Sequence, residues 1–205
     1  MNVVRLGRVP YEPTWRAMQA FTAARDENAA DELWLLEHPP VYTVGVAGRS
    51  AHLPRIANGI PVVFIDRGGQ ITYHGPGQVV VYTLVDLARR AMSVRAFVRL
   101  LERAVIDLLE RYGIRATNRT DAPGVYVDGA KIAALGLRVR KGRCYHGLAL
   151  NVDMDLAPFL VIDPCGYAGM PVTCLRDLNV GASQEEVGEA LVATLLQLLS
   201  QRHHG

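Results

Sequence analysis

The chain contains only three cysteines, Cys144, Cys165 and Cys174, and no two of them form a Cys-x-x-C pair. An odd, dispersed set excludes a disulfide scaffold and supplies no structural zinc site, so each must be read as a thiol. No apolar run is long enough to cross a bilayer, and residues 1–10 break their short apolar patches with Arg5 and Arg8 instead of building a secretory leader. A cytoplasmic protein that stays out of the membrane is expected. Charge of one sign is missing too: 22 Lys and Arg stand against 20 Asp and Glu, which leaves +2 without a lysine-rich tail and gives no reason to expect nucleic acid as a partner. Internal repeats and low-complexity stretches are absent. What is present is 205 residues, 50% of them hydrophobic, enough for one substantial core; one domain over residues 1–205 is expected.

Helical and strand periods alternate along the chain. Pro13 is placed to open a first helix with Trp15, Met18, Phe21 and Thr22 on one face. Glu32 to Glu37 and Val41 to Val44 read as strands separated by two prolines that forbid regular pairing. Val62 to Ile65 and Val79 to Val85 read as buried strands. A central helix follows, capped by Ser93, striped by Val94, Phe97, Val98, Leu101, Val105, Leu108 and Leu109, and ended by Gly113. Ser183 with Glu186 forms a capping box for a last helix through Leu191, Leu195 and Leu198, and His203-His204 reads as a frayed tail.

The segment Arg67-Gly68-Gly69-Gln70-Ile71-Thr72-Tyr73-His74-Gly75-Pro76-Gly77-Gln78 carries four glycines and a proline around one guanidinium, one imidazole and two amides. It reads as a polar turn at the edge of a sheet, shaped by its glycines and proline. Its spacing matches neither the dinucleotide fingerprint nor the phosphate loop. A surface loop is the plain alternative; Arg67 and His74 together argue for a pocket.

Asp128-Gly129 marks a hairpin between Val125–Val127 and Lys131–Val139. Alternation puts Lys131 on one face with Ala133, Leu135, Leu137 and Val139, and Ile132, Ala134, Gly136 and Arg138 on the other. Lys131 either snorkels to water or is a desolvated amine available for proton transfer. In the next strand His146 shares a face with Leu148, Leu150 and Val152, as a hydrogen-bonded structural histidine or as a base. The small residues Gly136, Gly147 and Ala149 leave either close strand packing or a groove that fits an acyl chain or a slender cofactor arm. Pro164-Cys165-Gly166 sets Cys165 at the apex of a fixed turn, whereas Cys144 and Cys174 lie among packing residues. A nucleophilic Cys165 needs a cation nearby, with Lys131, His74 and His146 as candidates. His74, His146 and Cys165 lack the close ligand pair of a zinc site, so no metal is expected. The basic run Arg138 to Arg143 is either a solvated hairpin tip or an attractor for acidic partners.

Five motifs in order strongly resemble the octanoyltransferases of lipoate biosynthesis: Leu36 to Thr43, Arg67 to Gln78, Lys131 to Arg138, His146 to Val152, and Pro164-Cys165-Gly166. The resemblance implies an α+β fold, a mixed β-sheet flanked by helices like the catalytic domain of biotin and lipoate protein ligases. It implies octanoyl transfer from octanoyl-acyl carrier protein to a lysine of lipoyl domains, in 2-oxoacid dehydrogenase E2 subunits and the glycine cleavage H protein. By the same resemblance Cys165 carries the acyl thioester and Lys131 lowers its pKa. Arg67, Gly68, Gly69, Gln70, Ile71, Thr72, Tyr73 and His74 line the substrate pocket with Ala134-Leu135-Gly136 and Gly147-Leu148-Ala149. His146 is a possible auxiliary. No cofactor and no ATP are implied, and a monomer is expected. An ATP-dependent lipoate or biotin ligase on the same fold is the alternative. One departure is Thr173-Cys174-Leu175, where many members carry Thr-Ser-Leu; Cys174 keeps the volume and is read as structural.

Overall fold

The computed structural model describes residues 1–48, 53–56, 58–162 and 170–201. Its strands are β1 (Asn2–Arg8), β2 (Glu32–Glu37), β3 (Val41–Val44), β4 (Val62–Phe64), β5 (Ile71–His74), β6 (Gln78–Asp86), β7 (Thr117–Asn118), β8 (Gly124–Val127), β9 (Ala130–Arg140) and β10 (Arg143–Asn151). Its helices are α1 (Tyr11–Ala24), α2 (Val94–Arg111) and α3 (Gln184–Ser200). A seven-stranded sheet runs β1-β2-β6-β10-β9-β8-β7, and a three-stranded sheet runs β4-β3-β5. Both are mixed: β1 lies parallel to β2 and β4 parallel to β3, while the other pairings are antiparallel. This is the α+β class expected.

Alternation along β6 divides the core. Val79, Val81 and Val85 face α2 and α3, where Phe97, Leu101, Val105, Leu191 and Leu195 are fully buried. Each such side chain contributes about 1.5–3 kcal/mol of burial free energy. Val80, Tyr82 and Leu84 face the other way, onto Tyr11 and Met18 of α1. Ser93 accepts from the Ala96 amide, Gly113 at φ +74 follows the end of α2, and Ser183 and Glu186 complete the capping box of α3.

Four expectations need correction. Residues 2–8 form β1, whose exposed outer positions hide the strand period because it lies at a sheet edge. Helix α1 starts at Tyr11, two residues before Pro13, and buries Tyr11 and Thr14 with Met18 and Thr22, leaving Trp15 and Phe21 half-buried. Val62 and Phe64 are exposed because β4 is an edge strand of the small sheet. The Arg67–Gln78 segment is not one turn: Ile71–His74 pairs with Val44–Val41, leaving short turns on either side. His203 and His204 lie outside the described residues.

Candidate active site

Between the α1 side of the large sheet and strand β5 lies a cleft of about 770 Å³, solvent at its mouth included. Strands β9 and β10 pair here through Gly136↔Gly147 and Ala134↔Ala149, so their small residues lower the cleft floor. Gly147 is required by close approach: a Cβ there would sit 2.0 Å from the Val81 carbonyl oxygen. Leu135 and Leu148 complete the two small-residue trios in the wall, and Arg67, Gly69, Gln70, Ile71, Thr72 and His74 form the opposite side. Gly68 and Tyr73 stay out of the wall. Gly68 donates its amide to the Leu137 carbonyl at 2.9 Å, and the Tyr73 ring packs on Tyr42 and Phe159, each 5.5 Å away.

Lys131 lines the cleft and is 4% exposed, so its amine is not a snorkelling surface group. Strict alternation would have turned it towards the α2 side with Ala133. Pairing passes instead from Tyr126↔Lys131 to Val125↔Ala133, which leaves Ile132 as an extra residue and resets the face of Lys131. The Lys131 Nζ stands 5.3 Å from the centroid of the Tyr126 ring, within cation–π range. Its backbone is held from the far side: the Lys131 amide donates to Pro171 and the Thr173 amide donates to Lys131. Cys165, like residues 163–169 as a whole, lies outside the described residues. The chain enters that segment at Ile162, packed beside Phe159, and the residues soon after it are those bonded to Lys131.

His146 also leaves its expected face. Its φ is +63, and its ring stacks 5.1 Å from that of its neighbour Tyr145 although consecutive strand residues should diverge. Nε2 of His146 lies 3.1 Å from Asp66 Oδ1, and because a carboxylate only accepts, that nitrogen carries the proton. Nδ1 is then a buried lone pair without a partner among the described residues. Asp66 also accepts from Trp15, Gln19 and Tyr145. Burial opposes its ionisation, but the hydrogen bonds from His146, Tyr145 and Trp15 outweigh that and hold the carboxyl well below the usual range. Burial pushes His146 down more than Asp66 pulls it up.

The other imidazoles are equally fixed as neutral rings. His38 donates from Nδ1 to the Val9 carbonyl at 2.7 Å, so Nε2 accepts from the Tyr82 hydroxyl. Burial lowers His38 to about 4. His74 is 7% exposed, and burial, assisted by His38 and Arg67, takes it to about 3 against a hydrogen bond to Gln78. Arg67 is clamped by Thr43, donating to its carbonyl at 2.7 Å and its hydroxyl at 3.0 Å, and donates at 2.8 Å to Gly68. The cleft thus combines apolar walls, two cations and imidazoles that cannot easily become cations. Such a site suits an apolar chain bearing a reactive carbonyl.

A family model described as the lipoyl protein ligase A/B catalytic domain matches residues 10–196. The chain belongs to this family. It is 64% identical over 197 residues to an octanoyltransferase of Azoarcus sp. (strain BH72), covering 96% of this chain and 87% of the relative. It is 66% identical over 193 residues to one of Thiobacillus denitrificans, covering 94% and 88%. Among solved structures it superposes on an archaeal bi-partite lipoate protein ligase from Thermoplasma acidophilum with a TM-score of 0.75 at 18% identity, over 97% of this chain and 83% of that one. A biotin protein ligase from Aquifex aeolicus in complex with biotin and ATP gives 0.61 at 12%, over 97% and 70%. At those identities the likeness extends to the fold.

Within the lipoyl ligase fold of this chain, sequence reasoning missed Tyr11, Tyr82, Asn151 and Val172 as cleft residues, and named Gln78 only as a loop amide. Asp66 went unseen beside Arg67, although an acid next to a glycine-rich turn was a usable signal. Cys144 and Cys174 are fully buried, and burial raises both thiols, Cys144 to about 12, as packing residues should behave. No cluster of three metal-ligating side chains occurs among the described residues. No helix among them is long and apolar enough to cross a membrane.

Proposed function

We propose that the protein is an octanoyltransferase that moves an octanoyl group from octanoyl-acyl carrier protein to a lysine of lipoyl domains, through a thioester on Cys165. The observation that carries this reading is the near full-length likeness to octanoyltransferases at 64% and 66% identity. The buried amine of Lys131 in the wall of an apolar cleft supplies suitable chemistry. Lys131 as an ammonium stabilises the Cys165 thiolate, which attacks the donor carbonyl; the carrier sulfur leaves and takes the proton from Lys131. Neutral Lys131 then accepts a proton as the lipoyl-domain amine attacks the Cys165 thioester and the thiolate departs. Thioester exchange is nearly isoenergetic, so no ATP is consumed. The small residues at Gly136, Gly147 and Ala149 make room for the octanoyl chain. The acceptors are lipoyl domains of 2-oxoacid dehydrogenase E2 subunits and the glycine cleavage H protein, and the enzyme works in the cytoplasm as a monomeric single domain without cofactor or metal.

Intact mass spectrometry after incubation with octanoyl-acyl carrier protein, without ATP, tests this. An octanoyl adduct on the Cys165 peptide, labile to hydroxylamine and discharged by apo-lipoyl domain, is expected; Lys131→Met should lower transfer by at least 100-fold. Modification of lipoyl domain only with free acid and ATP would place the protein with the ligases instead.

A further inference from the structure

A chain of buried polar groups runs from the backbone of Lys131 to the imidazole of His74. The Thr173 amide donates to the Lys131 carbonyl at 3.0 Å. The Thr173 carbonyl in turn accepts from Asn151 Nδ2 at 3.0 Å. A carbonyl cannot donate, so this contact orients the Asn151 amide and leaves its Oδ1 as an acceptor. Gln78 Nε2 donates to that Oδ1 at 2.9 Å and reaches the Tyr73 carbonyl at 3.3 Å. Both acceptors lack protons, so the Gln78 amide is oriented as well. Its Oε1 then faces His74 Nδ1 at 2.8 Å and must accept from it. Each link has one possible polarity, fixed by main-chain carbonyls at Thr173 and Tyr73. Gln78, Asn151 and His74 all line the cleft, and all are buried.

We propose that Gln78 and Asn151 are positioning residues that lock His74 as its Nδ1–H tautomer, so that Nε2 presents a fixed lone pair to the cleft and accepts a hydrogen bond from a substrate N–H. The role of that N–H rests on the octanoyl-transfer reading; the tautomer does not. Two sources share the chemistry: the attacking lysine amine, whose lone pair would be aimed by holding one of its N–H bonds, and an amide of the carrier's pantetheine arm. His74 does not remove the proton. Burial keeps it neutral, assisted by His38 with its ring 5.8 Å away, by Arg67 ahead of β5 and by His146 on β10, against the hydrogen bond to Gln78; the uncharged Tyr11 ring of α1 stacks on it at 5.7 Å. A neutral acceptor holds an amine without competing with Lys131 for the proton.

The first test is a long-range ¹H–¹⁵N spectrum of the ¹⁵N-histidine-labelled full chain. His74 should be neutral with its proton on Nδ1 from pH 5 to 8; a proton on Nε2 would overturn the proposal whatever the activity. The second test uses Gln78→Leu and Gln78→Glu. The Leu variant should mix the tautomers and lower kcat by about tenfold or more. The Glu variant still accepts from Nδ1–H but adds a charge that stabilises the imidazolium, so it should keep the tautomer at high pH and lose activity as pH falls, with a limb absent from the unmodified enzyme. A Leu variant with mixed tautomers and unchanged kcat, or a Glu variant whose His74 titrates without altering the rate profile, would reduce the network to a structural role. Single-turnover assays separate the sources: slower discharge of acylated enzyme to lipoyl domain assigns the amine, and slower acylation by the carrier assigns the pantetheine amide. If the unmodified protein transfers no octanoyl group, the functional reading fails while the spectrum still decides the tautomer. If the variants do not fold, the spectrum of the unmodified protein alone decides.

Discussion

Asp66 Oδ1 lies 3.1 Å from His146 Nε2, and the same carboxylate takes hydrogen bonds from Trp15 and Gln19 of α1. One side chain thereby joins the first helix to the cleft wall at a residue held in the left-handed region. Asp66→Asn leaves a single acceptor oxygen for these donors and sets an amide N–H against groups that can only donate to it. A loss of about 1–3 kcal/mol is expected in urea unfolding, larger than for an exposed carboxylate. A loss below about 0.5 kcal/mol would show that the four contacts do not act together.

Acid should destabilise the fold well above the carboxylate range. His38 and His74 are held neutral when folded, near 4 and 3, whereas the unfolded rings titrate near 6.5. The unfolded state therefore binds more protons below pH 6.5, so stability is complete above that value and declines as pH falls towards the folded values. The limiting slope is about 1.4 kcal/mol per pH unit for each ring. Denaturation midpoints between pH 7.5 and 4.5 measure it, and His38→Gln should reduce the slope by about one proton.

Gly136 and Gly147 face each other across β9 and β10 but should respond differently to a methyl group. A Cβ at Gly136 would stand 2.9 Å from Arg67 Cδ and 3.3 Å from the Gly68 carbonyl oxygen, so Gly136→Ala should strain the Thr43 clamp on Arg67 and raise KM while costing less stability than a clash with main chain alone. A Cβ at Gly147 would stand 2.0 Å from the main-chain oxygen of Val81. Gly147→Ala should therefore cost about 1–3 kcal/mol or more, seen as a lower melting temperature. Equal melting temperatures for the two variants would contradict this.

Arg138 and Arg140 are exposed at the end of β9 beside Lys141, on the rim of a groove that also contains Tyr145. If the proposed donor is carried on an acidic protein, reversing both charges should raise its apparent KM several-fold at low ionic strength, with the difference shrinking as salt is added. An unchanged KM at low salt would assign these arginines to an ordinary solvated hairpin tip.

Much of the fold was legible because local rules governed it. The stripe of α2, apart from Val94, which is exposed, the cap at Ser93 and the box at Ser183 depend on neighbours three or four residues away, and β2, β3 and β6 kept their apolar signatures because both of their faces, or nearly so, are covered. The edge strands β1 and β4 were read poorly because an exposed face removes the apolar signal. Arg67 and His74 were legible as a pocket and Gly136, Gly147 and Ala149 as a groove from their residue types, whereas the full Ala134–Gly136 and Gly147–Ala149 trios came from the family resemblance; the structure brings them all to one cleft. Asp66, Gln78 and Asn151 carry no such signature; their roles depend on partners far away in the chain, as with Gln78 and Asn151, which lie 73 positions apart.

Neighbouring residues alone dictate the helices, the covered strands, the family and the chemistry available, since period, capping and motif order are local properties. Only the tertiary structure decided where Lys131 and His146 point. Strict alternation would bury both on the α2 face; an extra residue at Ile132 and a left-handed backbone at His146 turn them into the cleft instead. Those irregularities depend on how a strand meets its neighbours, and a period of two cannot encode them.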